Sequence, residues 1–170
     1  MEMTIAQLNQ LEPAAFVRVI GPVFEQSPWI AEAVWREKPF VSPAQLQDKL
    51  RAVVKNSAES MRLALICSHP DLVGRAALAG TLTPESCNEQ AKAGLNQLSP
   101  QEIAWFQKHN AAYKAKFGFP FVICARLNKK DAILAGFEGR LKNSREQEIK
   151  TALEEIFKIA ELRLRDLIAD

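Results

Sequence analysis

The stretch SREQEIKTALEEIFKIAELRLRDL, residues 144–167, decides the fold class. Ser144-Arg145-Glu146-Gln147 has the pattern of a helix cap, and the residues after it keep helical spacing to about Ala169. Starting from Ile149, the residues Ile149, Leu153, Ile156, Ala160 and Leu167 sit at about 0°, +40°, −20°, +20° and 0° around the helix. That is one apolar stripe on a long amphipathic helix. Arg163 falls at about −40°, on the stripe, whereas Arg165 falls at about 160°, on the far side. A guanidinium on a core-facing stripe is paired in a buried ion pair, snorkels outward near the helix end, or binds an anion.

Working outward, the same periodicity and the same caps recur. Ser42-Pro43-Ala44-Gln45 and Ser99-Pro100-Gln101-Glu102 are capping boxes with Pro at the first helical position, and Thr83-Pro84-Glu85-Ser86 opens a helix to about Leu95. Ser27-Pro28 is expected to cap a short helix through Trp29, Ala33 and Val34, and Asn56 or Ser57 the helix that ends at His69-Pro70. Early helices carry Leu8, Leu11, Phe16, Val19, Ile20, Val23 and Phe24, with breaks near Pro13 and Gly21-Pro22. Lys130 or Asp131 starts a helix through Ile133, Leu134 and Phe137. Between them Gly118-Phe119-Pro120 breaks the helix of Ile103, Phe106, Asn110 and Tyr113, and the apolar run that follows reads as extended. No second strand pattern is available to pair with it. The expectation is an all-α, multi-helix bundle forming a single domain over residues 1–170, with one short extended segment near residues 119–125.

Composition agrees with a globular domain: 170 residues, 48% hydrophobic and 25% charged. A net charge of +2 from 22 basic and 20 acidic residues, well interspersed, gives no case for nucleic acid or an anionic membrane as partner. Cys67, Cys87 and Cys124 form no CxxC pair, and only two histidines are present, so neither a disulfide framework nor a metal site is expected. The thiols are expected to be reduced, mostly buried and cytoplasmic. No apolar run reaches membrane-spanning length; Met1-Glu2-Met3-Thr4 has no leader pattern, and Ile168-Ala169-Asp170 is no peroxisomal tripeptide.

Three places carry residue types suited to chemistry. In His69-Pro70-Asp71-Leu72 the proline disfavours helix geometry at the histidine, so the imidazole sits at a helix C-terminus, which favours its protonated form. His109, mid-helix beside Lys108, reads instead as a solvated surface residue. In Ser86-Cys87-Asn88-Glu89-Gln90 the hydroxyl, carboxylate and amide of Ser86, Glu89 and Gln90 share one helix face, beside an apolar stripe of Cys87, Ala91, Gly94 and Leu98. That polar arc either faces solvent or lines a pocket. In Phe121-Val122-Ile123-Cys124 the backbone groups of an unpaired extended run need partners, supplied by loops and water or by a polar ligand. No spacing rule brings His69, Glu89 and Arg163 together.

With these residues on the page, the chain resembles the family of OHCU decarboxylases (2-oxo-4-hydroxy-4-carboxy-5-ureidoimidazoline decarboxylases). The likeness runs from Phe24-Glu25-Gln26-Ser27-Pro28-Trp29 through His69-Pro70, Ser86 to Gln90 and Ala93-Gly94-Leu95. It continues through Asn110-Ala111-Ala112-Tyr113, Lys116 to Phe121, Arg140-Leu141-Lys142-Asn143 and Glu148 to Arg163-Leu164. The ordered set of HP, SxxEQ and FGFPF is specific; each alone is not. Lys38 departs from the arginine usual in the family before Pro39-Phe40, a structural position.

The resemblance implies a cofactor-independent, all-α enzyme, commonly a homodimer. Such an enzyme converts OHCU to (S)-allantoin and carbon dioxide, after urate oxidase and 5-hydroxyisourate hydrolase. It implies His69, Glu89 and Arg163 as catalytic residues. Pro70, Ser86 and Gln90 then hold the substrate, with backbone amides of Phe121, Val122 and Ile123. A non-catalytic helical domain that binds a partner or metabolite, and a lyase for another ureido acid, are the competing readings.

Overall fold

The computed structural model describes residues 2–169; the chain-end readings at Met1 and Asp170 lie outside the described residues. Among the described residues ten α-helices follow in order: α1 Ile5–Asn9, α2 Pro13–Ile20, α3 Trp29–Trp35, α4 Pro43–Asn56, α5 Glu59–Ser68, α6 Arg75–Ala79, α7 Pro84–Lys92, α8 Pro100–Phe117, α9 Lys130–Arg140 and α10 Arg145–Leu167. Single 3₁₀ turns cover Gly21–Val23 and Ala125–Leu127. Among the described residues the sole β-type pairing is an isolated bridge between Met3 and Ile168. The all-α class is therefore as the periodicity predicts; of the expected extended segment, Phe119 is in a bend, residues 120–124 lie in neither helix nor strand, and Ala125 already belongs to the second 3₁₀ turn.

The chain divides into two compact units, Met1–Ser68 with Phe157–Asp170, and His69–Ile156. In the first, Leu8, Phe16, Ile20, Ile30, Val34, Phe40, Leu46, Leu50 and Val54 are buried, with the Phe16 and Phe40 rings stacked 5.9 Å apart. The Asn9 amide clamps Phe40 at both backbone groups, donating to its carbonyl and accepting from its N–H, each at 2.8 Å. Lys38 donates to the Asn9 and Leu11 carbonyls at 3.1 and 2.7 Å and so ties off the end of α1. In the second unit, Phe106, Tyr113, Phe117, Phe119, Phe121, Ile133 and Phe137 form an aromatic core. Phe121 lies flat on Phe137, centroids 3.8 Å apart.

Side-chain caps open five of these helices, those that follow Thr4, Ser42, Thr83, Ser99 and Ser144. Ser99 and Ser144 each accept from the N–H three residues on, while Glu102 and Gln147 reach back to the serine N–H. Ser42 accepts from the Gln45 N–H, but the Gln45 carbonyl serves Val41. Two expected caps fail. The Ser27 hydroxyl donates to the Glu25 carbonyl and that of Ser57 to the Val54 carbonyl, so neither accepts from its helix.

Other expectations also need correcting. Cys67 and Cys87 are exposed, and Cys124 alone among the thiols is buried. His109 is half-buried, stacked 3.4 Å from Trp105 with Nδ1 2.8 Å from the Trp105 carbonyl. α7 stops at Lys92, short of Leu95, because Gly94 takes φ +80. The Leu95 N–H then bonds the Gln90 carbonyl and the Gly94 N–H that of Ala91, a Schellman closure.

A β-carbon at Gly94 meets nothing within 4 Å, so Gly94→Ala costs backbone strain alone, about 1–2 kcal/mol. Gly139 is exposed inside α9, has equally open surroundings and no positive φ, so Gly139→Ala stabilises by about 0.5–1 kcal/mol. Urea unfolding of the two variants should give shifts of opposite sign.

Candidate active site

Helix α7 begins at a Thr83 cap, which accepts from the Ser86 N–H at 3.3 Å, and ends in the Gly94 closure. Fixed at both ends, it turns its polar face inward. Ser86, Glu89 and Gln90 are all buried, whereas Cys87 and Asn88 are exposed and Ala91, Gly94 and Leu98 only half-buried. The solvent-facing alternative for the polar arc is thus excluded. The small residues of the presumed stripe offer little apolar area, so their burial contributes little. Burying a carboxylate is costly unless it is paired or hydrogen-bonded, so an inward face that carries Glu89 is unusual for a helix.

The loop after α5 carries His69, which is 8% exposed. Three side chains tie this loop down. The Val73 N–H donates to Gln90 Oε1 at 3.2 Å, Asn110 Nδ2 donates to the Leu72 carbonyl at 2.8 Å, and Lys114 pairs with Asp71 at 2.5 Å. Val73 itself adopts φ +52. A β-branched residue in the left-handed region is strained by about 1–3 kcal/mol and persists only when its surroundings impose it. Here the tether from Gln90 does so. Gln90 therefore couples α7 to the histidine loop through its carbonyl, and its NH₂ makes no hydrogen bond to protein among the described residues. Asn110 was visible on the apolar face of α8, four residues after Phe106; its role in the loop was not.

The extended segment lies in the same unit. Phe121, Val122 and Ile123 are buried, yet among the described residues none of their N–H groups donates to another protein group. The Val122 carbonyl is taken by Arg140. Burial pushes the Cys124 thiol pKa up, and the carboxylates of Glu155 and Glu89 add to the rise. Within this unit Gln90 thus joins α7 to the loop that carries His69, and residues 121–123 add uncommitted backbone donors. Among the described residues no three His, Cys, Asp or Glu side chains gather as metal ligands do.

Arg163 belongs to the other unit. It is 5% exposed, and its neighbours on α10, Ile156, Ile159, Ala160 and Leu164, are buried with it. Of the predicted stripe Ile156 and Ala160 are buried, whereas Ile149, Leu153 and Leu167 are only half-buried. Arg163 Nη2 pairs with Glu25 Oε2 at 3.0 Å, and Nη1 donates to the Pro22 carbonyl at 3.1 Å. The buried ion pair, one of three alternatives for this residue, is what forms. Arg165 is 68% exposed at its side chain and pairs with Glu161. Glu25 had no sequence signal, since it lies in an irregular turn where Gln26 takes φ +45. Its backbone carbonyl also accepts from Ser68, the residue before His69.

Removing one partner strands a buried charge, so Glu25→Ala should destabilise the protein by about 3–5 kcal/mol. Glu161→Ala, which breaks an exposed pair, should cost no more than about 0.5 kcal/mol. Urea midpoints of the two variants decide this; similar shifts would mean that the Glu25–Arg163 pair carries no special burden.

A family model described as OHCU decarboxylase matches residues 9–165. A 2-oxo-4-hydroxy-4-carboxy-5-ureidoimidazoline decarboxylase of Amia calva is 41% identical over 166 residues, which are 98% of this chain and 95% of the relative. Among solved structures, an (S)-allantoin synthase superposes with TM-score 0.78 at 29% identity; the match covers 98% of this chain but only 54% of that one. An OHCU decarboxylase crystallised in the presence of (S)-allantoin gives TM-score 0.68 over 92% of this chain and 97% of that one, and at 24% identity it speaks to the fold alone. The buried polar face of α7, the tethered histidine loop and a match along nearly the whole chain lead to one assignment: the chain belongs to the OHCU decarboxylase family.

Proposed function

We propose that this chain decarboxylates OHCU to (S)-allantoin and carbon dioxide, in urate degradation and without a cofactor. Family membership supports the reaction. The observation that carries the site is the inward polar face of α7, where Ser86, Glu89 and Gln90 are all buried. The same reading treats residues 1–170 as one catalytic domain and the working form as a cytoplasmic homodimer. Among the described residues no helix is long and apolar enough to cross a membrane.

Loss of carbon dioxide leaves an electron pair on the former carboxyl-bearing carbon. The adjacent imine or carbonyl system must delocalise that pair until a proton captures it. Arg163 holds and orients the departing carboxylate or polarises a neighbouring oxygen, as a guanidinium engages both oxygens of one carboxylate. His69 is the general acid–base, a role suited to an imidazole, whose two ring nitrogens can accept and donate a proton. Glu89 hydrogen-bonds the ureido or hydroxyl groups, or sets the protonation of His69. Ser86, Gln90 and Pro70 hold the substrate together with backbone N–H groups of Phe121, Val122 and Ile123, which accounts for buried donors that the protein itself leaves uncommitted. Proton delivery to one face gives a single enantiomer. A positioned proton donor contributes about 100- to 10,000-fold in rate.

The test is to mix the protein with freshly generated OHCU and follow allantoin by circular dichroism. Wild type should give optically active product well above spontaneous decay; racemic product at the spontaneous rate would sink the proposal. His69→Asn should abolish turnover in a folded helical protein, and wild-type turnover in that variant would refute the acid–base role. Arg163→Ala should lower turnover far more than Arg165→Ala, which removes only an exposed side chain.

A further inference from the structure

One buried charged cluster has no part in the chemistry above. Glu148 of α10 is 0% exposed, and its carboxylate is saturated with donors. Oε1 accepts from the Tyr113 hydroxyl and from Arg140 Nε, the latter at 2.8 Å; Oε2 accepts from Asn143 Nδ2 at 2.9 Å. Burial, and then the bond to Glu148, push the Tyr113 pKa well above its ordinary value, so the hydroxyl stays a donor at any working pH. Arg140 is the outward-reaching member. Its Nη1 donates to the Val122 carbonyl, and its guanidinium lies 4.2 Å from the centre of the Phe121 ring. An ion pair this deep adds little net stability over apolar packing. What it does add is direction.

In a trans peptide the carbonyl of one residue and the N–H of the next point to opposite sides of the chain. Drawing the Val122 carbonyl toward Arg140 therefore turns the Ile123 N–H the other way, and that N–H donates to no protein group among the described residues. A positive charge on the carbonyl oxygen also polarises the whole amide and strengthens its N–H as a donor. We propose that Arg140, backed by Glu148, is a positioning residue that aims and polarises the Ile123 N–H toward the bound substrate. This rests on the reading that the backbone amides of residues 121–123 bind substrate. Arginine suits the task because its fork reaches Glu148, Val122 and the Tyr113 oxygen from one rigid plane, which a lysine ammonium does not.

The experiment uses the full chain, ¹⁵N-labelled, as wild type, Arg140→Lys and Glu148→Gln. Each is measured for kcat and KM with OHCU, for urea stability, and for the Ile123 amide proton shift on addition of (S)-allantoin. In wild type the Ile123 amide should move downfield. In folded Arg140→Lys that movement should be lost and kcat/KM should fall about 10- to 100-fold, less than the ~100- to 1,000-fold loss seen when such a donor is deleted outright. An Ile123 shift that persists unchanged in Arg140→Lys, or an unchanged kcat/KM, overturns the proposal. If Arg140→Lys does not fold, Glu148→Gln is judged by the same two criteria. An Ile123 amide that stays still in active wild type sinks the backbone-amide reading itself, and an inactive wild type sinks the assigned reaction, so the three failures are distinct.

Discussion

A carboxylate removed from water must be surrounded by donors, and each unit of this protein is built around one that is. In the first unit Glu25 pairs with Arg163 of α10. In the second Glu148 of α10 pairs with Arg140 of α9. In both, the arginine gives a further donor to a backbone carbonyl outside the α-helices, that of Pro22 in a single 3₁₀ turn in one and of Val122 in the other. The pairs therefore do similar work. They fix segments that no α-helix or sheet ladder holds. Breaking either leaves a lone buried charge, which is why their value lies in specifying a conformation more than in net stability.

The same logic explains why α7 can bury a hydroxyl, a carboxylate and an amide. A nine-residue helix gains little from apolar burial when its inward face is polar. Its ends compensate. Thr83 satisfies a donor at the start, and Gly94 lets two carbonyls be satisfied at the finish. Gln90 then transmits this order outward, holding Val73 in a conformation that valine avoids. The strain sits four residues from His69, in the loop that carries it, where strained backbone is most often part of a working site.

Sequence legibility follows the range of the interactions. Helix starts at Ser99 and Ser144 are encoded within four residues, and both were readable. Ser27 and Ser57 carry the same local signal, yet their hydroxyls found nearby carbonyls instead, a choice that the cap pattern does not record. For α7 the helical wheel gave the two faces but left open which of them points inward, because that is decided by contacts outside the helix; Ser86, Glu89 and Gln90 are the buried ones. Arg163 was conspicuous because it broke an apolar pattern, whereas Glu25, 138 positions away in sequence, broke none.

Glu148 shows the remaining limit and also a way past it. It lies one residue before Ile149, off the apolar stripe, so periodicity reads it as solvent-facing. Tyr113, in contrast, sits squarely among the core positions of α8, and a tyrosine buried there must find a partner for its hydroxyl. Asking which acceptor can satisfy it leads to a buried carboxylate, and a buried carboxylate in turn demands a cation. Arg140 meets that demand, and the carbonyl of Val122 is where its fork reaches next. A polar atom on an apolar face is therefore the thread by which a long-range network enters a sequence, and here it leads from a helix core to the backbone that faces the substrate in the proposed reaction.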